Sequence, residues 1–246
     1  LGDVYKRQIT GNDSGIDVAP DIRAEYIFSD SYILYLNAQG GRQVNDYRML
    51  SRISPYWGTE RQLDATYVPF DATLGFKASP VSGLWFNIFG GYQIRKHELF
   101  CTLVPAGQFV YTGFVQDKGK IGYGGAEVKY GYKDYFDASV KGTYYGWTTD
   151  SDDDMIVAMK PEMELNFKVD AKLMDGLKLR LGYDYVKRKG EDVDPVSNLS
   201  VGATYELLKD ISIFVDVNNL LNKQYYYEGG YPAEKLNVLG GLTFRF

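Results

Sequence analysis

The last eleven residues of the chain, LNVLGGLTFRF at positions 236–246, decide how the fold is read. Every second residue from Leu236 to Phe246 is apolar or glycine, while the residues between them include Asn237 and Arg245. A period of two places alternate side chains on opposite faces of a β-strand and differs from the 3.6-residue period of an amphipathic helix. The segment therefore predicts a strand with one apolar face.

The same alternation recurs upstream. Residues 162–173, EMELNFKVDAKL, alternate charged or amide side chains with apolar ones, and residues 177–185 and 199–206 repeat the split. Weaker versions cover residues 16–28, 31–40, 63–78, 83–97, 121–132, 135–148 and 211–219. The sequence thus predicts eleven strands.

The links between these strands alternate in length. Short polar or Gly/Pro turns lie at residues 29–31, 79–83, 133–134, 175–176 and 209–210. Longer links lie at about 41–62, 98–120, 149–160, 188–196 and 220–235. Tight turns on one side and long loops on the other are typical of an up-and-down barrel in an outer membrane. We therefore predict an all-β, transmembrane, antiparallel up-and-down β-barrel.

One face of the predicted strands is rich in charge, which would be costly in a small dry core. A wet lumen on that side and lipid on the other removes the conflict. The residues predicted to face the lumen are Arg23, Glu25, Glu127, Lys129, Lys141, Glu162, Glu164, Lys168, Lys178, Arg180 and Asp216. Aromatic residues near strand ends, among them Tyr26, Tyr132, Tyr145 and Trp147, fit interfacial girdles. A soluble all-β protein is the alternative interpretation.

The composition of the chain argues against several classes of function. The 246 residues carry 27 Lys+Arg, 32 Asp+Glu, one Cys and one His, with a net charge of −5. This balance argues against nucleic-acid binding, and the lone cysteine excludes a disulfide framework and a Cys-rich zinc site. A single His leaves little support for a His-based metal site or a Ser-His dyad. We therefore expect no enzymatic activity, no cofactor and no metal.

The carboxyl-terminal residues 211–246, ISIFVDVNNLLNKQYYYEGGYPAEKLNVLGGLTFRF, resemble the carboxyl end of TonB-dependent outer-membrane receptors. In that family an Asn-Leu-hydrophobic-Asn run is followed by tyrosines, a Tyr-Pro or Gly-Pro loop and a last strand ending in an aromatic residue. The matching residues here are Asn219, Leu220, Asn222, Tyr225, Pro232, Phe244 and Phe246.

The resemblance implies a domain organisation. Such receptors have barrels of about twenty-two strands around an N-terminal plug, so residues 9–246 are interpreted as the carboxyl-terminal portion of the barrel, without the plug and the first half. Residues 1–8, LGDVYKRQ, are a candidate non-native start. The implied partners are outer-membrane lipid and lipopolysaccharide, the plug, a TonB-type energy-coupling protein acting through that plug, the barrel-assembly machinery at the last strand and a nutrient chelate.

The function implied by the resemblance is active transport of a scarce nutrient, such as a ferric siderophore or a cobalamin-like chelate. A self-contained barrel of about twelve strands, with residues 3–9 in the twelfth, is the alternative; it would act as a passive pore or an autotransporter translocator. A barrel enzyme is the weakest reading, because one His at the loop side gives it little chemistry.

Ligand contacts, if the chain makes them, should come from aromatic and charged side chains of the long loops, since these can stack on and hydrogen-bond to a bulky chelate. The candidates are Tyr56, Trp57, Arg61, His97, Tyr111, Trp147 and Tyr231. Two charge runs remain open. Residues 150–154, DSDDD, read as a solvated loop or a weak cation site, and residues 187–189, KRK, as a loop base or a contact to anionic lipopolysaccharide or chelate.

Overall fold

The computed structural model describes residues 17–58, 63–151, 157, 159–190, 194–228 and 231–245. Eleven strands form one antiparallel sheet in the order β1-β2-β3-β4-β5-β6-β7-β8-β9-β10-β13. Their bounds, with those of the short helix α1 and the small β11–β12 pair, are β1 Asp21–Ser29, β2 Tyr32–Gln43, α1 Tyr47–Ile53, β3 Thr66–Val81, β4 Leu84–Ala106, β5 Phe109–Tyr132, β6 Phe136–Thr149, β7 Pro161–Met174, β8 Leu177–Arg188, β9 Val196–Leu208, β10 Ile211–Asn218, β11 Tyr226–Glu228, β12 Tyr231–Pro232 and β13 Asn237–Phe244. Among the described residues, no helix is long and apolar enough to cross a membrane.

The topology follows chain order. Each strand of the large sheet pairs antiparallel with the strand before it and the strand after it, while β1 and β13 form the two edges of the described sheet. The eleven predicted strands and their up-and-down order are confirmed. The five short turns are confirmed as well, and the left-handed backbone of Gly83 and Gly176, both at φ 82°, allows two of them to close tightly.

The prediction of a loop over residues 98–120 is wrong. Strands β4 and β5 continue through this region as a hairpin whose turn contains Gly107 at φ 65°. The proline and glycines that read as chain breakers are accommodated because this hairpin rises beyond the ladders that β4 forms with β3 and β5 forms with β6, and proline is tolerated outside a central ladder. A register shift between Arg95 and Glu98 marks where the hairpin departs from the wall.

The register sorts the strands into two faces. Directly paired residues of antiparallel strands lie on the same side of a sheet, so one row runs from Asp216 through Gly202 and Arg180 to Asp170. We call the face that carries this row the polar face and the opposite one the apolar face. Exposed side chains such as Leu74 and Val128 belong to the apolar face.

Glycines on the polar face make room for aromatic rings from the neighbouring strand. A Cβ at Gly91 would lie 2.4 Å from the ring of Tyr123, and one at Gly75 would lie 2.4 Å from the ring of Tyr35. The ring of each tyrosine therefore lies across its glycine. The hydroxyl of Tyr123 extends past Gly91 and donates a hydrogen bond to the Asp71 carboxylate at 3.0 Å.

Two small apolar clusters lie at the loop end of the sheet. One consists of Phe100, Ile121, Trp147 and Val157, and the other of Leu50 from α1 with Leu99 and Phe114. Helix α1 begins where Asp46 accepts a hydrogen bond at 2.8 Å from the backbone N–H of Met49. The helix was not predicted, because seven residues are too few to show a helical period.

Candidate ligand-facing surface

Ten of the eleven residues predicted to face the lumen lie on the polar face by register. Among them, an Arg180 guanidinium nitrogen donates to Asp216 at 2.7 Å across Gly202, and Glu164 accepts from the Tyr145 hydroxyl at 3.0 Å. The ten are Arg23, Glu25, Glu127, Lys129, Lys141, Glu164, Lys168, Lys178, Arg180 and Asp216. That this face lines a lumen stays a prediction.

Glu162 is the exception. It lies in the register shift between Pro161 and Met163, where it contacts Lys187 at 2.7 Å and the Tyr144 hydroxyl at 3.4 Å. Met163 pairs with both Tyr144 and Lys187, and all three lie on the apolar face. The irregularity explains the difference, because a bulge moves a side chain out of simple alternation.

A buried charge cluster lies on the polar face at the loop end. The Glu98 carboxylate, with a side chain only 6% exposed, accepts from Arg95 at 2.8 Å and from Lys160 at 2.5 Å. The Lys160 ammonium is 4.9 Å from the ring centroids of both Phe100 and Trp147. The Lys160 ammonium, which belongs to the link before β7, therefore contacts residues of both β4 and β6.

Trp147 belongs to this cluster and not to a lipid-facing girdle. It pairs with Ile121 on the polar face, its indole N–H donates to the Pro161 carbonyl at 2.9 Å, and its side chain is buried. Tyr145 lies on the same face. The girdle interpretation is therefore wrong for both residues, because in this region the polar face is covered by loops and offers an apolar environment.

A cavity of about 350 Å³ lies beside the part of β4 that extends beyond its pairing with β3. The side chains that give it charge are Arg95, Glu98, Lys160, Glu164 and Arg188, and Leu99 contributes to its apolar wall. Arg188 also donates to the Tyr226 carbonyl at 2.6 Å. Sequence reasoning placed Glu164 on this side and offered Arg188 only as part of the 187–189 run. It missed Arg95, Glu98 and Lys160, for which the one available signal was the apolar alternation that continues beyond Glu98 to Phe100.

None of the predicted ligand-contact residues that the structure describes lines this cavity. Tyr56 stacks on Tyr231 with ring centroids 3.7 Å apart and planes 8° apart, which joins two long loops. Trp57 packs against Phe114, and its indole N–H donates to Ser51 at 3.1 Å. Tyr111 lines a second cavity of about 230 Å³.

Two further candidates have different outcomes. His97 lies inside β4 with φ 54°, at the register shift, and its carbonyl accepts from Thr66 at 2.8 Å and from Gln116 at 3.1 Å. The sequence predicts that His97 ends a strand. This prediction is wrong, because β4 continues through His97 into the hairpin. Arg61 lies outside the described residues.

Asn219 holds the end of β10 in place. Its backbone is left-handed at φ 50°, and its buried side-chain amide donates to the carbonyls of Lys223 at 2.7 Å and Glu234 at 3.1 Å. Its side-chain oxygen accepts from the Lys223 N–H at 3.1 Å, and Asn222 accepts from the Leu236 N–H at 3.3 Å. The two asparagines thus tie the last long loop to the start of β13.

The other motif residues are less constrained. Tyr225 is buried, Leu220 is exposed, and Pro232 pairs with Tyr226 in the β11–β12 ladder. Phe244 lies exposed on the apolar face of β13. Phe246 and residues 1–8 lie outside the described residues.

The acidic run at 150–154 is described only at its first two residues. Asp150 contacts Lys118 and Lys120 at 3.2 Å each. Hydrogen bonds from these two ammonium groups hold the pKa of Asp150 below its ordinary value of 3.8. Within the part of the chain that the structure describes, no three His, Cys, Asp or Glu side chains converge as a metal site.

No protein-family model and no curated protein matches the sequence. Solved structures do match. "Copper transporter OprC" is 15% identical with a TM-score of 0.63, and the match covers 92% of this chain and 39% of that one. The pyoverdine outer membrane receptor FpvA from Pseudomonas aeruginosa PAO1 is 16% identical with a TM-score of 0.65, covering 93% and 36%. The ferric-catecholate import receptor Fiu from E. coli K12 is 13% identical with a TM-score of 0.63, covering 100% and 40%.

The chain has the fold of a TonB-dependent receptor barrel. The resemblance carried by residues 211–246 is therefore confirmed at the level of fold, and it extends over nearly the whole chain. This receptor-barrel chain spans 36–40% of the length of the three matched chains.

Proposed function

We propose that this chain is part of the wall of an outer-membrane, TonB-dependent receptor that imports a scarce nutrient as a chelate. The observation that carries the proposal is the likeness to receptor barrels over 92–100% of the chain. The exposed apolar face supports a membrane location, because lipid in contact with that face would remove it from water.

The polar face then lines a lumen that holds the plug. Charged pairs such as Arg180–Asp216 lie there partly exposed, which leaves them able to contact a plug surface. The energy-coupling protein would act through the plug, and the barrel-assembly machinery would engage β13. The chain itself would bind and release cargo and carry out no bond chemistry.

The loop end would capture the cargo. The cavity beside β4 and the Tyr56–Tyr231 stack both lie there and offer charged and aromatic contacts. A ferric siderophore or a cobalamin-like chelate is the proposed cargo class. The neighbours carry different cargo in their names, copper, pyoverdine and ferric catecholate, so the cargo must be measured.

The test uses the full-length gene in its own host. A deletion strain is expected to lose energy-dependent uptake of one chelate from a panel of radiolabelled ferric siderophores and cobalamin, and the intact gene should restore it. Inactivating the energy-coupling protein should abolish the same uptake. Uptake that persists without energy coupling, together with a conductance in planar bilayers, would instead identify the alternative, a passive pore.

A further inference from the structure

The projecting part of the β4–β5 hairpin carries no charge. No Asp, Glu, Lys, Arg or His occurs between Glu98 and Asp117, which pair with each other at the base of the hairpin. The other long links between strands all contain charged residues. An uncharged segment of this length at an otherwise charged end of the sheet indicates a surface for an apolar partner.

The second cavity, of about 230 Å³, lies on this hairpin, and we call it the hairpin cavity. Its side chains are apolar apart from two hydroxyls, and none is charged: Leu63, Thr102, Val104, Tyr111, Phe114 and Val115. The loop before β3 closes one side. There the Gly58 N–H donates to the Thr112 carbonyl at 3.1 Å, and a Cβ at Gly58 would lie 2.5 Å from the Tyr111 ring. Backbone hydrogen bonding thus fixes this wall, and the cavity is pre-formed, as ligand sites usually are.

The cavity beside β4 is a neighbour of the hairpin cavity, because Thr102 lines both. Its character is the opposite. Three cationic and two carboxylate side chains give it a surplus of one positive charge among the described residues: Arg95, Lys160, Arg188, Glu98 and Glu164. The Arg95 Nε atom is buried and, within the described part of the chain, has no hydrogen-bond partner. An acceptor oxygen from a bound anionic group would satisfy this N–H.

We propose that the two cavities together bind an amphiphilic chelate, with its anionic metal-binding head beside Arg95 and an apolar tail in the hairpin cavity, against Val104 and Tyr111. The inference rests on the proposed function and narrows its cargo class. A cavity of about 230 Å³ is smaller than most complete ligand sites, so it suits one tail and not a whole chelate. Binding tightens with each methylene that leaves water for the cavity. A chelate that is polar on every side gains nothing there.

The first experiment varies only the tail. The full-length receptor in phosphatidylcholine nanodiscs is dialysed to equilibrium against radiolabelled ferric N-methyliminodiacetate or ferric N-hexyliminodiacetate, which share the same anionic head, and binding to empty nanodiscs is subtracted. The hexyl chelate should bind about tenfold more tightly, because its added methylenes leave water. Equal binding of the two probes, or binding of neither, would overturn the proposal.

The second experiment fills the hairpin cavity. Val104→Phe should weaken binding of the hexyl chelate about tenfold, to the level of the methyl chelate, because the added ring occupies the place of the tail. Ala106→Phe is the matched control. Ala106 is exposed and lies outside both cavities, so this variant should keep the wild-type preference for the hexyl chelate. Persistence of that preference in Val104→Phe would overturn the inference.

The outcomes separate this inference from the proposed function. Energy-dependent uptake of a ferric chelate by a receptor that shows no preference for the hexyl probe overturns the inference alone. Passive, energy-independent uptake overturns the proposed function, and the inference falls with it. Retention of the fast-migrating, unboiled form in detergent gels shows that each variant folds, and the comparison of the two tails on the wild type decides the question if Val104→Phe does not fold.

Discussion

The Lys160 ammonium lies 2.5 Å from a carboxylate oxygen of Glu98, and the two residues are 62 positions apart in the chain. Arg95 binds the other oxygen of the same carboxylate at 2.8 Å. Both cations are partly exposed, whereas Glu98 is almost fully buried. This anion therefore fastens the β4–β5 hairpin to the link before β7.

Replacing Glu98 by Gln should loosen the hairpin. The change leaves two cations without their anion, and breaking a buried pair costs several kcal/mol; because Lys160 and Arg95 are partly solvated, we expect about 1–3 kcal/mol here. Proteases added to intact cells should cleave the full-length receptor faster near Gly107. Glu25→Gln is the matched control, because Glu25 is exposed and lies 3.8 Å from Lys77. Equal cleavage of the two variants would show that Glu98 does not fasten the hairpin.

Adjacent glycines on β4 should respond differently to alanine. A Cβ at Gly91 would lie 2.5 Å from the Ala72 carbonyl oxygen, which is backbone, and 2.4 Å from the Tyr123 ring. Overpacking of this kind costs about 1–3 kcal/mol, and it would also displace the Tyr123 hydroxyl from Asp71. Gly90→Ala is the control, because its nearest contact would be an ordinary 3.6 Å.

The readout is the temperature at which the full-length receptor loses its fast-migrating, unboiled form in detergent gels. Gly91→Ala should lower this temperature and Gly90→Ala should leave it nearly unchanged. The reverse order would mean that the close approach of Tyr123 is not important for stability.

Asn219 makes two separable contributions, a left-handed backbone and three side-chain hydrogen bonds. Asn219→Gly keeps the backbone conformation accessible and loses the hydrogen bonds, so it should cost about 1–3 kcal/mol. Asn219→Ala loses both and should cost about 1 kcal/mol more. The measurement is the fraction of receptor that reaches its heat-modifiable form in outer membranes. If the glycine and alanine variants assemble like the wild type, the hydrogen bonds of Asn219 do not hold β13 in place.

Acidification should weaken the ion pairs that Asp150 forms with Lys118 and Lys120. Its folded-state pKa is lowered by Lys118 and Lys120, so its contribution to stability is fully present above its ordinary value of 3.8 and is lost as the pH falls through the lowered value. Asp150→Asn should therefore be less stable than the wild type at neutral pH, and the difference should shrink once the pH falls below 3.8. Denaturant unfolding at several pH values checks this, and a difference independent of pH would contradict it.

The strands were predictable because each has one polar face and one apolar face. Alternate residues lie on opposite faces, so the sequence of a strand alternates between polar and apolar residues. The charge cluster was not predictable, because nothing in the spacing of Glu98, Trp147 and Lys160 indicates that they meet. The prediction that Glu162 faces the lumen failed because a single bulge shifts the alternation of the strand. The sequence around Pro161 does not show where the extra residue lies. Loop contacts such as Tyr56–Tyr231 depend on how two long segments fold toward each other.

The open sheet leads to a prediction for the 246-residue chain on its own. In the described residues, β1 pairs only with β2, and β13 only with β10. Two open edges in lipid leave backbone N–H and C=O groups without partners, at several kcal/mol for each group. Refolded alone in detergent, the chain should therefore not give a heat-modifiable barrel, whereas the full-length receptor should. A compact species of the chain alone that migrates faster unheated than boiled would contradict the half-barrel interpretation, because it would require β1 and β13 to find partners within this sequence.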